Sequence, residues 1–256
     1  MPAPDTSTGL QRRRLFAYLL LVIAAASWGV NWAVARSVSE EVTPFALVFW
    51  RWFLAGVILL PFAAGHARTD LAAAAADWKW LAFFGISGAA AFPMLGYLGL
   101  RYTTAVNASL LNGSMPLFMI PMAWLIRGDT VGRRQLAGLF ISLAGAITIV
   151  SAGDLGVLAT LSLNPGDLLI LGAIALWALY SVLLHRRPRM HPLSFALFII
   201  AAAIAFCAPF YAYDLLSGSV TQVNLQTVTA IAYLAVFPSL IAYICWNHAV
   251  TIVGPN

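Results

Sequence analysis

Charge is what this chain has least of. Only 9% of its 256 residues are Asp, Glu, Lys or Arg, against 62% hydrophobic residues and a mean hydropathy of +0.88. Soluble domains carry roughly 25% charged residues, so a water-solvated globular fold is excluded and the bilayer is the solvent. Acidic residues are scarcer still: there are nine, all expected in the tail or in loops rather than in helix cores. A chain with no buried carboxylate lacks the usual general base, the usual metal ligand and an obvious intramembrane proton carrier. The two cysteines, Cys207 and Cys245, both fall inside apolar runs, which argues against a disulfide framework or a metal cluster. No Gly-x-Ser-x-Gly, His-Glu-x-x-His or P-loop pattern occurs, so no enzyme signature and no cofactor are expected. Apolar/polar alternation is also missing, which excludes a lipid-facing barrel.

Long uncharged runs take the place of what is missing. They cover residues 15–35, 80–100, 102–126, 135–153, 168–184 and 192–213. Residues 44–64 form another, interrupted only by Arg51, and 215–256 is long enough for one more helix and the start of the next. Each run is near the ~20 residues that cross ~30 Å of hydrocarbon as α-helix. The expectation is an all-α polytopic membrane protein with eight crossings and the start of a ninth. Eleven of the 14 basic residues fall in the tail or in alternate connections (Arg12 to Arg14, Arg68, Lys79, Arg127, Arg133, Arg134, Arg186, Arg187, Arg189). By the positive-inside rule those connections and the N-terminal tail, residues 1–14, are cytoplasmic. The opposite connections hold Glu40, Glu41, Asp154, Asp167 and Asp214, with Arg36 and Arg101 at helix ends. Topology thus accounts for the net charge of +5, and no nucleic-acid partner is implied. The first run outlasts a cleavable signal peptide by continuing to Ala35.

The landmarks of the chain occur twice, about 148 residues apart. Trp28, Pro44, Pro61 and Phe92-Pro93 are answered by Trp177, Pro192, Pro209 and Phe237-Pro238. An offset of five spans makes the second copy enter the membrane from the opposite side, the inverted repeat of many secondary transporters. The first repeat is expected over 15–151, a linker over 152–164, and the second repeat over 165–256. Pro93, Pro116, Pro121 and Pro238 should kink their spans, and Pro93 and Pro238, at matched positions, are candidate hinges or cavity walls. Gly85 and Gly88, Gly96 and Gly99, and Gly138 and Gly145 sit where helices could approach closely. Residues 71–76 read as a surface helix.

Arg51 is the one charge well inside a span, at a cost of roughly 2.5–3.5 kcal/mol for a central position. Two readings stay open: it snorkels outward to Glu40, Glu41 or backbone carbonyls, or it binds a substrate carboxylate. Arg101 is a structural or gating candidate at a span end. Polar and aromatic residues share helical faces in spans one, three, four, six and eight, and such stripes must face protein or a cavity. Trp28, Tyr97, Trp177, Tyr180 and Tyr243 are the main candidates for a cavity that takes an amphipathic solute, with rings on aromatics and charges on amides, π-faces or Arg. Trp50, Trp52, Trp78, Trp80 and Trp124 are assigned to the interfacial belt.

The segments Ala-Ala-Ser-Trp-Gly-Val-Asn-Trp (25–32), Phe-Trp-Arg-Trp-Phe-Leu-Ala around Arg51, and Tyr97 to Leu111 resemble an EamA repeat of the drug/metabolite transporter superfamily. The second repeat is looser, in Ala-Leu-Trp-Ala-Leu-Tyr (175–180) and Tyr-Ile-Cys-Trp-Asn-His-Ala (243–249). The resemblance implies ten helices in two inverted five-helix repeats and a multi-pass protein of a bacterial inner membrane. It also implies export of a small molecule from the cytoplasm, with Trp28, Asn31, Asn107 and Trp177 toward a central cavity. Within the superfamily the chain looks most like exporters of aromatic amino acids and related metabolites. It departs from the family in length. If Asn107 answers to Asn256, roughly 40–45 residues and the last two helices are missing, so the functional protein is expected to be longer. Membrane lipids and the solute are the expected partners, with no obligate protein partner. Facilitated flux is expected, because no buried carboxylate is available to couple protons.

Overall fold

The computed structural model describes residues 6–130, 132–151, 164–219 and 221–253. Every regular element among them is helical: α1 (Thr6–Gly29), α2 (Asn31–Ser37), α3 (Pro44–Thr69), α4 (Leu71–Ala76), α5 (Trp78–Phe84), a first π segment (Gly85–Ala91), α6 (Phe92–Gly99), α7 (Ala105–Gly113), α8 (Met115–Arg127) and α9 (Arg133–Ser151). They continue as α10 (Pro165–Leu183), a 3₁₀ turn (Leu184–Arg186), α11 (Pro192–Leu216), α12 (Leu225–Leu234), a second π segment (Ala235–Ile241) and α13 (Ala242–Val253). Seven helical runs among the described residues are long and apolar enough to cross a membrane. The expected fifth span is α9, whose 19 residues reach about 28 Å at 1.5 Å per residue. Most of the expected linker, and the expected start of a ninth helix, lie outside the described residues.

Helix starts follow from capping chemistry. The Thr43 hydroxyl accepts from the Ala46 N–H at 3.1 Å, with Pro44 in the first turn of α3. Thr104 caps α7 through the Asn107 N–H in the same way. Asn164 with Asp167, and Asn224 with Thr227, form reciprocal capping boxes at α10 and α12. Gly128, at φ 71°, ends α8 in the left-handed region that favours glycine. Pro116 does not kink a continuous span. It sits in the first turn of α8, after a break at Ser114, because proline is accommodated where no N–H is needed.

The expected pairing of Pro93 with Pro238 is corrected by the backbone. The two π segments lie 150 residues apart, Gly85 answering to Ala235 and Ala91 to Ile241. Phe92 N–H bonds to Ser87 O in one, and Ala242 N–H to Phe237 O in the other. On that register Pro238 answers to Gly88, whereas Pro93 lies two residues past its π segment. The conserved unit is therefore the widened turn, and each proline reaches it from a different position.

Two carboxylates are buried, which corrects the expectation that none would be. Asp167 is 3% exposed and accepts from the Thr103 hydroxyl at 2.7 Å; Asp214 is 7% exposed and accepts from the Thr43 hydroxyl. Both sit at helix ends and tie the two halves of the chain together. At the other end of the bundle Asp70 accepts from the His191 N–H at 2.9 Å, and the rings of His66 and His191 stack 3.6 Å apart. Between these ends α3 packs along α11, and α6 along α10.

The α6–α10 contact depends on the absence of side chains. A Cβ on Gly99 would lie 2.8 Å from Gly166 O, and one on Gly166 would lie 2.4 Å from Gly99 O. With no hydrophobic drive between helices in lipid, such backbone approach supplies the packing. Gly99→Ala should lower the stability of the detergent-solubilised protein by about 1–3 kcal/mol. Gly65→Ala, where a Cβ meets nothing within 4 Å, should be neutral or stabilising by up to about 1 kcal/mol. Thermal unfolding of the two variants against the parent checks the contrast.

Candidate functional site

The π segments generate the site because they release backbone carbonyls. Pro93 has no N–H, so in α register Ala89 O and in π register Gly88 O lose their donor. The Trp52 indole N–H donates to Ala89 O, and the Tyr243 hydroxyl donates to Gly88 O. In the second π segment the Ser239 hydroxyl donates to Leu234 O at 2.7 Å. The Trp28 indole N–H reaches Pro238 O at 3.0 Å. Each donor is thereby fixed in orientation around one cavity.

That cavity is lined by Leu21, Ala25, Trp28, Asn31, Trp32, Arg51, Phe92, Pro93, Asn112, Met115, Trp177, Tyr243 and Trp246. Its aromatic wall is closely built: Trp28 meets Trp177 edge-on at 5.1 Å, Trp177 meets Tyr243 at 5.3 Å, and Trp246 lies 5.5 Å from Trp28. The volume is about 150 Å³. An apolar cavity of roughly that size admits a benzene ring, and drug-sized ligands occupy roughly 300 Å³ or more. The conformation described here therefore fits a small ring or a few waters, and a larger solute needs the walls to part. Two lining residues, Asn112 and Trp246, hold a buried polar atom with no hydrogen-bond partner among the described residues: the Asn112 side-chain carbonyl and the Trp246 indole N–H. One is an acceptor and the other a donor, and unmet polar groups of this kind are what a polar ligand satisfies.

Arg51 borders the same space and is 3% exposed. It does not snorkel outward to Glu40 or Glu41. Its Nε donates to the Ser239 hydroxyl at 2.8 Å, and one terminal nitrogen donates to the Tyr97 hydroxyl and, at 3.5 Å, to Asn31 Oδ1. The guanidinium also lies 5.2 Å from the Trp52 ring centroid. Inward bonds to groups on three spans hold it in place of a reach to the exposed loop. No carboxylate pairs with it among the described residues. The result is a buried cation held by neutral dipoles beside a cavity.

Of the residues expected at the site, Trp28, Asn31, Pro93, Trp177 and Tyr243 line the cavity. Tyr97 and Tyr180 stand one layer behind the wall: Tyr97 on Arg51 and Asn31, Tyr180 stacked on Trp177 at 5.0 Å. Pro238 takes part only through its carbonyl. Asn107 does not line the cavity; it is half-buried in the first turn of α7, where its N–H meets Thr104. Arg101 is exposed in the turn after α6. Trp52 is no belt residue, because it is fully buried and bonded to Ala89 O; Trp50, Trp78 and Trp124 are exposed. Asn112, Trp246 and Ser239 lie on the polar faces of their spans but were not among the expected site residues.

Two Tyr–Asn hydrogen bonds flank the cavity. The Tyr97 hydroxyl donates to Asn31 Oδ1 at 2.8 Å, and the Tyr180 hydroxyl donates to Asn247 Oδ1 at 2.6 Å. Asn31 and Tyr180 are 149 residues apart, three residues after Trp28 and Trp177; Tyr97 and Asn247 are 150 apart, the π-segment offset. The pair recurs with donor and acceptor exchanged between helices. Arg51 joins the first pair, and Arg187 donates to Asn247 O at 3.3 Å beside the second.

Comparison with known proteins places this geometry in a family context. The model of the EamA-like transporter family matches residues 15–151 and again 164–256. The chain is 27% identical over 251 residues to the "Uncharacterized transporter YyaM" of Bacillus subtilis (strain 168), covering 95% of this chain and 80% of the relative. It is 31% identical over 240 residues to an "Uncharacterized transporter" of Archaeoglobus fulgidus, covering 91% and 80%. A solved structure described only as "Crystal structure of protein" superposes with a TM-score of 0.69 at 20% identity, over 93% of this chain and 84% of that one, which shows a shared fold. Neither relative's name states a substrate.

Tyr97→Phe removes the oxygen that both accepts from Arg51 and donates to Asn31. The variant should unfold with a loss of about 1–3 kcal/mol, the cost of under-satisfied buried polar groups. Thermal unfolding in detergent reads this, and stability equal to the parent would refute the role given to the network.

Proposed function

Because the chain belongs to the EamA-like transporter family, we propose that it exports a small amphipathic carboxylate, an aromatic or neutral amino acid by class, across a bacterial inner membrane. The observation that carries this reading is Arg51: a buried guanidinium without a carboxylate partner among the described residues, on the wall of an aromatic cavity. A substrate carboxylate would give it the charge-assisted partner it lacks. The Trp246 N–H is a further donor to that anion. The Asn112 carbonyl and the faces of Trp28 and Trp177 suit an ammonium group and a ring. The arginine distribution supports a cytoplasmic N-terminus.

Transport follows from closing the cavity at alternate ends. The Asn31–Tyr97–Arg51 network closes one side and the Asn247–Tyr180 pair the other, with the two repeats rocking about the site. Substrate at Arg51 competes for the same N–H groups that hold Tyr97 and Asn31, so binding weakens the first closure. The buried carboxylates Asp167 and Asp214 are held by threonines at helix ends, and neither lines the cavity. We therefore read the flux as facilitated rather than proton-coupled, and the protein as a transporter without catalytic activity.

Uptake of labelled amino acids into proteoliposomes tests the reading. Saturable flux of at least one aromatic or neutral amino acid is expected, abolished by Trp177→Ala. Arg51→Gln should weaken apparent affinity for the carboxylate by about tenfold or more, and Trp246→Phe, which keeps a ring but loses the N–H, should raise KM with little change in maximal rate. Absence of saturable flux for every amino acid would sink the substrate class. Concentrative uptake driven by an imposed proton gradient would sink the facilitated mechanism.

A further inference from the structure

A second cavity, of about 500 Å³, lies where α8, α10 and α13 end. Arg127, His185, Arg187 and Arg189 line it, together with the apolar Leu184, Met190 and Val250. Three guanidiniums therefore share one space. Only one carboxylate answers them: Asp129 pairs with Arg127 Nε at 3.1 Å, the one ion pair among the described residues. Arg187 is partly engaged, donating to Asn247 O at 3.3 Å. Topology explains why arginines collect at this end of the bundle. It does not explain why they converge on one hollow.

A second observation points to a ligand. Ser181 lines the same cavity, is 1% exposed, and its hydroxyl has no hydrogen-bond partner among the described residues. A buried serine in a helix ordinarily returns its proton to a carbonyl one turn back, as Ser87 does to Phe83 O. We propose that this cavity binds a phosphate-class oxyanion, held by Arg127, Arg187 and Arg189 and accepting a hydrogen bond from Ser181. Planar guanidinium forks match tetrahedral oxyanions in pairs, and the negative charge relieves the mutual repulsion of the three. Burial pulls Arg187 below its ordinary value, with Tyr180 opposing the shift; a bound anion would restore it. The source is either an anionic lipid headgroup, which the apolar wall of Leu184, Met190 and Val250 would suit, or a free oxyanion. Neither requires the central site to carry amino acids.

Native mass spectrometry of the detergent-purified protein, equilibrated with equal phosphatidylglycerol and phosphatidylcholine, reads the lipid arm. Thermal unfolding in sodium phosphate against sodium chloride at matched ionic strength reads the free-anion arm. Preferential retention of phosphatidylglycerol assigns a headgroup; a stabilising shift from phosphate alone assigns a free oxyanion. Either supports the site provided Arg189→Gln and the charge-neutral Ser181→Ala each weaken the effect, the former by about tenfold. Arg68→Gln, an exposed cation of the same end that does not line the cavity, should leave it unchanged. Equal retention of both lipids with no phosphate-specific shift would overturn the proposal. So would an Arg68→Gln loss as large as that of Arg189→Gln, since the attraction would then be general to the surface.

Discussion

In hydrocarbon a carbonyl that loses its helical donor has no water to turn to, and each such orphan costs several kcal/mol unless a side chain answers it. Pro93 and the first π segment create orphans at Gly88 and Ala89, and the groups that answer are Tyr243 and Trp52. Those two donors come from other spans, so capping the backbone fixes the tertiary structure. Tyr243 cannot reach Gly88 unless α13 lies against the first π segment. Once it does, its ring stands between Trp52 and Trp177. The aromatic cavity is thus a consequence of satisfying the widened turns.

Arg51 obeys the same constraint with a charge in place of a dipole. A guanidinium could escape along its stem toward an interface, yet this one turns inward to Ser239, Tyr97 and Asn31. Ser239 serves twice, donating to Leu234 O and accepting from Arg51. The second π segment, through Ser239 at 188 residues from Arg51, is therefore tied to the one charge found deep in the first repeat among the described residues. In the proposed reading, a carboxylate at Arg51 would bear directly on that segment. Binding and backbone geometry are coupled through one hydroxyl.

Fold class was legible because hydropathy and capping act locally. The spans, the surface helix over 71–76 and the start of α3 at Pro44 need only neighbours within a turn or two. Trp28 and Trp177 were legible as a matched pair because an aromatic in the same place of two repeats leaves a mark in the sequence. The π register leaves none: prolines 145 residues apart suggested equivalence, whereas the hydrogen-bond ladders align at 150. Trp52 could not be told from Trp50 by hydropathy, since the two differ in which face of α3 they occupy and only α11 and the second π segment decide which face is inside. Arg51 was ambiguous for a related reason, its partners Tyr97 and Ser239 being 46 and 188 residues away.

The exchanged Tyr–Asn pairs show what duplication preserves. Helix-to-helix hydrogen bonding across the first and third spans of each repeat is kept, while donor and acceptor have traded places. A bond of this kind is indifferent to which helix supplies the hydroxyl, so the trade costs little. The added cations are not equivalent. Arg51 enters the first pair through its side-chain partners, deep in the bundle, whereas Arg187 touches only the main chain of Asn247 from the end of α10. If each pair closes one side of the cavity, the closures differ in strength and in sensitivity to an anion. Under the proposed function, a carboxylate arriving at Arg51 would compete with the first closure and leave the second untouched. The two half-cycles can then differ in rate because a single arginine is placed in one repeat and absent from the matching position of the other, while the solute gradient sets the net direction.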